Sequence, residues 1–299
     1  MEYPDRVLNS STPIPGSAST TTGEPATRYS LVAARDGSTT LRDTRLNETF
    51  HPELGMAEEI RLLLDQAEVA PPAAPKWVVW DLGLGAGGMA AGILRHTASW
   101  PCEVDVHSFD IRWDAFDLAR ESSMPHLSGL PCDPLRRDGK TEWLEKGMTR
   151  RWTMHPGDLP DLMENTPPGS LPLPDLAVVD LHSPESQPEL WTLAFWQNVH
   201  RHSTGKPGLF LFHTRSTSVR ATLLLAGFYV GKGRALGKKE ETTLACMEPG
   251  ILSRPLDTAW LDTLARSTQG QPLISPPFTR QIIEPVYLAA VRQHPQFHA

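Results

Sequence analysis

Cysteine is scarce. The 299 residues contain three, Cys102, Cys132 and Cys246, far apart and without a Cys-x-x-Cys pair. That excludes a disulfide framework, suggests no metal site, and fits a reducing, cytoplasmic setting. No apolar run approaches the roughly 18 residues that a membrane span needs. The N-terminus lacks a basic start followed by an apolar stretch, so no secretory signal is expected. Positive charge is also in deficit, with 28 Lys and Arg against 35 Asp and Glu, a formal net charge of −7. An acidic balance argues against a protein that binds nucleic acid over its whole surface, but not against one local basic face.

What is present is ordinary globular sequence, 39% hydrophobic and 21% charged, long enough to bury a substantial core. Residues 1–28 are the exception. They are rich in Ser, Thr, Pro and Gly and read as a disordered leader. Asp36-Gly37 between two β-prone runs reads as a hairpin, and residues 55–64 as a helix stopped by Pro71-Pro72. From Trp77 the chain alternates. Short apolar strands at 77–82, 104–110, 152–155, 176–180 and 209–213 are separated by helical stretches. Buried strands alternating with helices predict an α/β fold with a doubly wound, mostly parallel sheet. After Pro249 only one amphipathic stretch is expected, around Trp260, Leu261 and Leu264, followed by a Pro-rich tail. No internal repeat is present.

The strongest local signal is Asp81-Leu82-Gly83-Leu84-Gly85-Ala86-Gly87, a glycine turn between a strand and a helix. Glycines let backbone approach a ligand closely, and open α/β sheets bind ligands at the C-terminal ends of their strands. A tight structural turn is the bland alternative. The spacing is not the GxGxxG of dinucleotide sites, and no Lys-Ser/Thr follows as in a P-loop. An acidic strand end would repel a pyrophosphate. It suits S-adenosylmethionine (SAM), which carries an ammonium and a sulfonium and no phosphate. Asp110 ends the second strand, where a carboxylate can accept both ribose hydroxyls. Asp158 follows the third strand and could meet the adenine edge. Asp180 ends the fourth, where it could orient an acceptor nitrogen and take up its proton. His182 beside it is a candidate base or merely an exposed loop histidine. Glu185 and Glu189 read as the solvated start of a helix.

These residues resemble the MnmC-like methyltransferases, the SAM-dependent half of the tRNA 5-methylaminomethyl-2-thiouridine biosynthesis protein and its stand-alone relatives. The resemblance rests on four blocks in order. They are Asp36-Gly37-Ser38 to Glu59, with Glu48-Thr49-Phe50-His51 inside it; Asp81–Gly87; Val179–Trp191; and Ala226–Glu240. It runs from about residue 35 to 245. It implies a Rossmann-like class I methyltransferase fold over residues 29–249, with an N-terminal β-hairpin flap and a C-terminal extension from 250 to 299. It implies SAM as cofactor, Asp180 as the catalytic-site acid, and Asp81, Gly83, Gly85, Gly87, Asp110 and Asp158 around the cofactor. His51 and Glu59 would belong to a flap over the methyl donor. The implied acceptor is the 5-aminomethyl group of the tRNA wobble uridine, with a separate oxidoreductase supplying that intermediate.

The chain departs from the family where Leu181-His182-Ser183 replace Gly, an aromatic and Ala, and where a basic Arg-Lys-Arg is diluted to Lys238-Lys239-Glu240. These departures leave the acceptor open. An independent expectation comes from charge. Residues 201–239 carry Arg201, Lys206, Arg215, Arg220, Lys232, Arg234, Lys238 and Lys239, and no acid. Such a run could meet a phosphate backbone, or could be ordinary surface solvation. Arg215, Arg220, Lys238, Lys239 and His182 are the candidate substrate contacts. Three readings stay open: a tRNA methyltransferase, a methyltransferase of a small amine, and a non-catalytic protein that keeps the fold.

Overall fold

The computed structural model describes residues 28–51, 53, 56–236 and 240–298. The leader up to residue 27, Gly55, Lys238 and Lys239 lie outside them.

Strand β4 (Lys76–Leu82) is the axis of the molecule. All its residues but the first are buried, because helices cover both faces of the sheet. It pairs in parallel with β5 (Glu103–Asp110) on one side and β8 (Leu176–Val179) on the other, Val79 lying opposite both Val106 and Leu176. Beyond β8 lies β9 (Leu209–Phe212), and beyond β5 lies β7 (Met148–Pro156), both parallel. The strand order therefore reverses at β4, and its C-terminal edge is the crevice where open α/β sheets bind ligands.

Three strands were not expected from the sequence. β6 (Lys140–Glu145) forms an antiparallel hairpin with β7. Its turn, Lys146-Gly147, places both residues at positive φ, 50° and 82°. That suits a tight hairpin, but Lys carries no turn signal. β11 (Thr243–Cys246) runs antiparallel to both neighbours, wedged between β9 and β10 (Tyr229–Lys232). The eight-stranded order is β10-β11-β9-β8-β4-β5-β7-β6.

Alternate residues of each strand feed two apolar layers. Val79, Val104 and Trp152 lie in one, with Val78, Trp80 and Phe210 in the other. The first is closed by α2 (Gly88–His96) and α1 (Met56–Gln66). Gly92 lets these two helices meet, since a Cβ there would sit 2.0 Å from Ile60. The second is closed by α6 (Leu193–Ser203) and α7 (Thr217–Leu225). The tail contributes to it as well. Beyond the expected amphipathic helix α8 (Thr258–Arg266), the Pro-rich segment forms a further helix, α9 (Pro285–Arg292), with Ile283 and Val291 buried. Pro285 at its first position is where proline is compatible with a helix.

The N-terminal sheet is separate, three antiparallel strands β1 (Tyr29–Ala33), β2 (Thr39–Asp43) and β3 (Glu48–Thr49). The Asp36-Gly37 hairpin forms as the sequence predicts, with Gly37 at φ 83° and Asp36 accepting from the Ser38 amide. This sheet brings residues 48–51 over the C-terminal edge of β4.

Candidate active site

A cavity of about 320 Å³ opens at that edge, bounded by the glycine turn, the ends of β5 and β8, and residues 48–51. Its floor is backbone. Gly83 and Leu84 donate to the Phe109 carbonyl at 3.0 and 3.2 Å, and Gly85 donates to an oxygen of Asp110 at 3.0 Å. Gly83 has φ 101°, and a Cβ on it would lie 2.5 Å from the Asp180 carbonyl oxygen. Gly85 lies beneath the Phe50 ring, while Gly87 packs on Phe116 and starts α2. Gly83 thus lets the turn approach the Asp180 backbone, Gly83 and Gly85 border the cavity, and Gly87, expected there too, serves packing instead.

Asp110 and Asp158 both line the cavity. Burial pushes both carboxyls above their ordinary range, for Asp110 against the opposing pull of the Gly85, Arg112 and Ile111 amides. Asp158 precedes α5 (Leu159–Asn165) but makes no capping bond to it. Asp81 does not line the cavity, contrary to expectation. It is fully buried beneath the turn, accepting from Ser108 at 2.6 Å, while its other oxygen has no hydrogen-bond partner among the described residues. Burial pushes its carboxyl up to about 8, a direction the Ser108 bond only partly offsets. The alternation of strand side chains explains this: the last turned-in residue of β4 faces the core, and only the backbone after it faces the ligand.

Asp180 stands across the cavity from Asp110. Its amide donates to the Leu82 carbonyl at 3.0 Å, which fixes it to the end of β4. One carboxylate oxygen lies 3.2 Å from His51 Nε2. His51 Nδ1 lies 3.1 Å from Glu59, and the second oxygen of Glu59 lies 2.8 Å from His213 Nδ1. His51 sits at φ 45°, a left-handed conformation rare outside glycine, so its ring is held by these bonds against a backbone cost. Burial opposes its charge, but Asp180 and Glu59 outweigh that and push its pKa up to about 10. His51 is therefore an imidazolium between two carboxylates. Burial likewise opposes the charge of Glu59, and the two histidines reverse it, holding the carboxyl far below its usual range.

The remaining wall is tied to the N-terminal sheet by Glu48. Its carboxylate accepts from His182 Nδ1 and Ser183 Oγ, each at 2.8 Å, and from Ser186 Oγ. Burial opposes its charge, but these donors hold Glu48 below its ordinary pKa. His182 is thus not a loose loop histidine. It leans on Phe50, ring centroids 5.4 Å apart, and its carbonyl accepts from Trp191 at 2.7 Å. Glu189, expected at a solvated helix start, also lines the cavity.

Among the described residues, Lys206, Arg215, Arg220, Lys232 and Arg234 of the basic run all have acidic partners. Arg220 is only 4% exposed and donates to Thr243 Oγ1 at 2.9 Å and the Thr242 carbonyl at 3.2 Å, so it holds β11. Lys206 pairs with Asp175, Arg215 with Glu240, Lys232 with Glu241 and Arg234 with Glu68. The acids that compensate the run come from outside it, which the linear sequence conceals. Two site residues also escaped the sequence reading, Glu48 and His213. His213 carried a signal, since it ends an apolar strand just as Asp180 does.

Residues 155–248 match the family model described as S-adenosyl-L-methionine-dependent methyltransferase. The segment contains Asp158, Asp180 and His213. The matched segment is less than half of the chain. Over most of its length the chain shares its fold with MnmC2. Among solved structures, MnmC2 from Aquifex aeolicus superposes with a TM-score of 0.60 at 20% identity, over 89% of this chain and 85% of that one. A probable spermidine synthase from Corynebacterium glutamicum gives 0.48 at 14% identity, over 84% and 95%. CalS10, an amino pentose methyltransferase from Micromonospora echinaspora, gives 0.40 at 12% identity, over 65% and 92%. A search of curated proteins finds no match.

The cofactor of this methyltransferase family is SAM, and the cavity suits it. The glycine turn presents backbone to the space, and the carboxylates of Asp110, Asp158, Asp180, Glu48 and Glu189 line it. That suits a cofactor that carries an ammonium and a sulfonium. Arg28 and Arg112 also border the space. When bound, SAM supplies a methyl group activated by a sulfonium. Among the described residues no helix is long and apolar enough to cross a membrane, and no cluster of His, Cys, Asp or Glu could hold a metal ion.

Proposed function

We propose that the protein transfers the methyl group of SAM to an amine held by Asp180, with the 5-aminomethyl group of the tRNA wobble uridine as acceptor. The observation that carries the amine is the Asp180 carboxylate, 30% exposed to the cavity and braced by an imidazolium on one oxygen only. A carboxylate there attracts an ammonium, orients its nitrogen and accepts the proton it must lose before attacking. Asp110 would accept the ribose hydroxyls of SAM, Asp158 would face its adenine, and Gly83 and Gly85 would give it backbone room. The N-terminal sheet would act as a flap, with Phe50 and His51 closing over the methyl donor. The tRNA acceptor is supported by the resemblance in block order.

A second acceptor, a small free amine, is favoured by one observation. The cations that would serve a phosphate backbone have acidic partners, and Glu48, Glu189 and Asp180 give the cavity acidic walls. Both acceptors are tested together. Protein and labelled SAM are incubated with bulk tRNA from cells blocked at the aminomethyl stage, and separately with a panel of primary amines. Label in RNA is the expected result. Label only in a small amine overturns the tRNA acceptor and keeps the amine chemistry.

A further inference from the structure

His213 has no assigned role, yet it ends a continuous chain of side chains that starts in the cavity. The links are Asp180 to His51 at 3.2 Å, His51 to Glu59 at 3.1 Å, and Glu59 to His213 at 2.8 Å. The two middle members are sealed, His51 at 6% and Glu59 at 7% side-chain exposure, whereas the outer ring is 54% exposed. Four separate elements supply the members: the loop after β3, α1, the end of β8 and the end of β9. His213 lines the rim of the reaction cavity and also borders a second cleft on the far side of Glu59, together with Arg215, Glu240, Glu241 and Thr242. The chain therefore runs from the reaction cavity to a different stretch of surface.

We propose that His213, through Glu59 and His51, positions Asp180 and couples its protonation to solvent outside the reaction cavity. The inference rests on the amine reading above, because methylation of an ammonium releases one proton. An N–H bond of the ammonium breaks and an O–H bond forms on Asp180. The freed nitrogen pair bonds the methyl carbon as the carbon–sulfonium bond breaks, its electron pair staying on sulfur. The four side chains then hold one proton more than at rest. The His51 imidazolium has no free nitrogen, so it first gives its Nδ1 proton to Glu59, which passes it to His213 and so to water. The His51 ring then turns and takes up the proton of Asp180, and the resting count returns. The cavity can then stay closed while the proton leaves. Asp180 touches the acceptor and is the catalytic residue, whereas His51, Glu59 and His213 act through it.

The charges around the chain are consistent with this direction. His51 pairs with Asp180 and Glu59. Burial, with the His51 charge added to it, lowers the pKa of His126, whose Nε2 is 2.9 Å from the Ala86 carbonyl. Glu59 pairs with the two histidines and borders the cleft that holds Arg215, Glu240 and Glu241. His213 faces Glu59, with Arg215 paired to Glu240 beside it. At rest the inner three groups carry two negative charges and one positive, so one further proton neutralises them.

The test uses His213→Gln, which keeps a hydrogen-bonding side chain at a half-exposed site, and Glu59→Gln. The first readout needs no acceptor: exchange of the His51 ring N–H protons with water, followed by nitrogen-15 NMR on the protein alone. Exchange should slow about tenfold or more in each variant. Added imidazole should restore it in His213→Gln but not in Glu59→Gln, where the chain is cut inside the protein. The second readout is turnover of aminomethyl-stage tRNA. In His213→Gln kcat should fall about tenfold, with KM for SAM unchanged and imidazole restoring the rate. Unchanged His51 exchange in His213→Gln overturns the proposal, even if kcat falls, because the residue is then only structural. If wild-type protein methylates no tRNA, the acceptor reading fails and the exchange measurement still decides the chain.

Discussion

The two halves of the cavity are built on different principles. The cofactor half is mostly backbone: three amides of the glycine turn bonded to the end of β5, with Asp110 fixed by the Gly85 amide. The acceptor half is mostly side chains, and they arrive from distant parts of the sequence. Glu48 meets His182 across 134 residues, and Ser183 across 135. A backbone cradle tolerates changes of side chain but not of backbone freedom. A side-chain cluster can be retuned one residue at a time. Under the proposed function, the first half would serve the cofactor generically and the second would choose the acceptor. Leu181-His182-Ser183 lies in that second half, tied to the flap by Glu48.

This contrast can be broken most sharply at Asp180. Asp180→Ala should cut methylation by about a hundredfold or more, the usual scale for loss of a positioned proton acceptor. The dissociation constant for SAM, measured by calorimetry, should move less than about twofold, and a large loss of SAM binding would merge the two halves. Gly83→Ala should do the reverse. The new Cβ meets the Asp180 carbonyl at 2.5 Å on a backbone at φ 101°, so SAM binding should be lost together with about 3 kcal/mol of stability. Urea denaturation with a SAM titration checks both, and an unperturbed variant would mean the turn can shift freely. Asp110→Ala removes an acceptor while leaving the cradle, so SAM should bind about ten- to a hundredfold more weakly, the worth of a charged hydrogen-bonding group. An unchanged dissociation constant would show that Asp110 does not meet the ribose.

The smallest effect concerns pH. The His51 pKa is raised on folding, from 6.5 to about 10. Its charge therefore stabilises the fold fully below pH 6.5, and that contribution is lost as pH rises through about 10. The stability gap between wild type and His51→Gln should narrow between neutral pH and about pH 10 in urea titrations. A gap independent of pH would mean that His51 is neutral in the folded protein.

Much of the fold is legible along the chain, because β4, β5, β8 and β9 are apolar runs and α/β alternation is a local pattern. Strand β6 was not legible, since its exposed face alternates with half-buried residues and its turn uses Lys146. β11 was not, since its antiparallel insertion depends on β9 and β10 being already in place. Of the residues read as cofactor contacts, Gly83, Gly85, Asp110 and Asp158 line the cavity, whereas Asp81 and Gly87 do not. In the other half Asp180, His182, His51 and Glu59 stood out, whereas Glu48 and His213 acquire their meaning from partners remote in sequence.

The sequence by itself determined the parallel sheet, the glycine turn and the acidic strand ends, and with them a site for SAM. These follow from local hydrophobic pattern and from backbone freedom, which neighbours along the chain control. Only the tertiary structure decided which charges act. It buried Asp81 and Arg220, paired the basic run with acids from elsewhere, and set His51 between Asp180 and Glu59. A charge is governed by its surroundings within a few ångströms, and folding, not sequence order, chooses those surroundings.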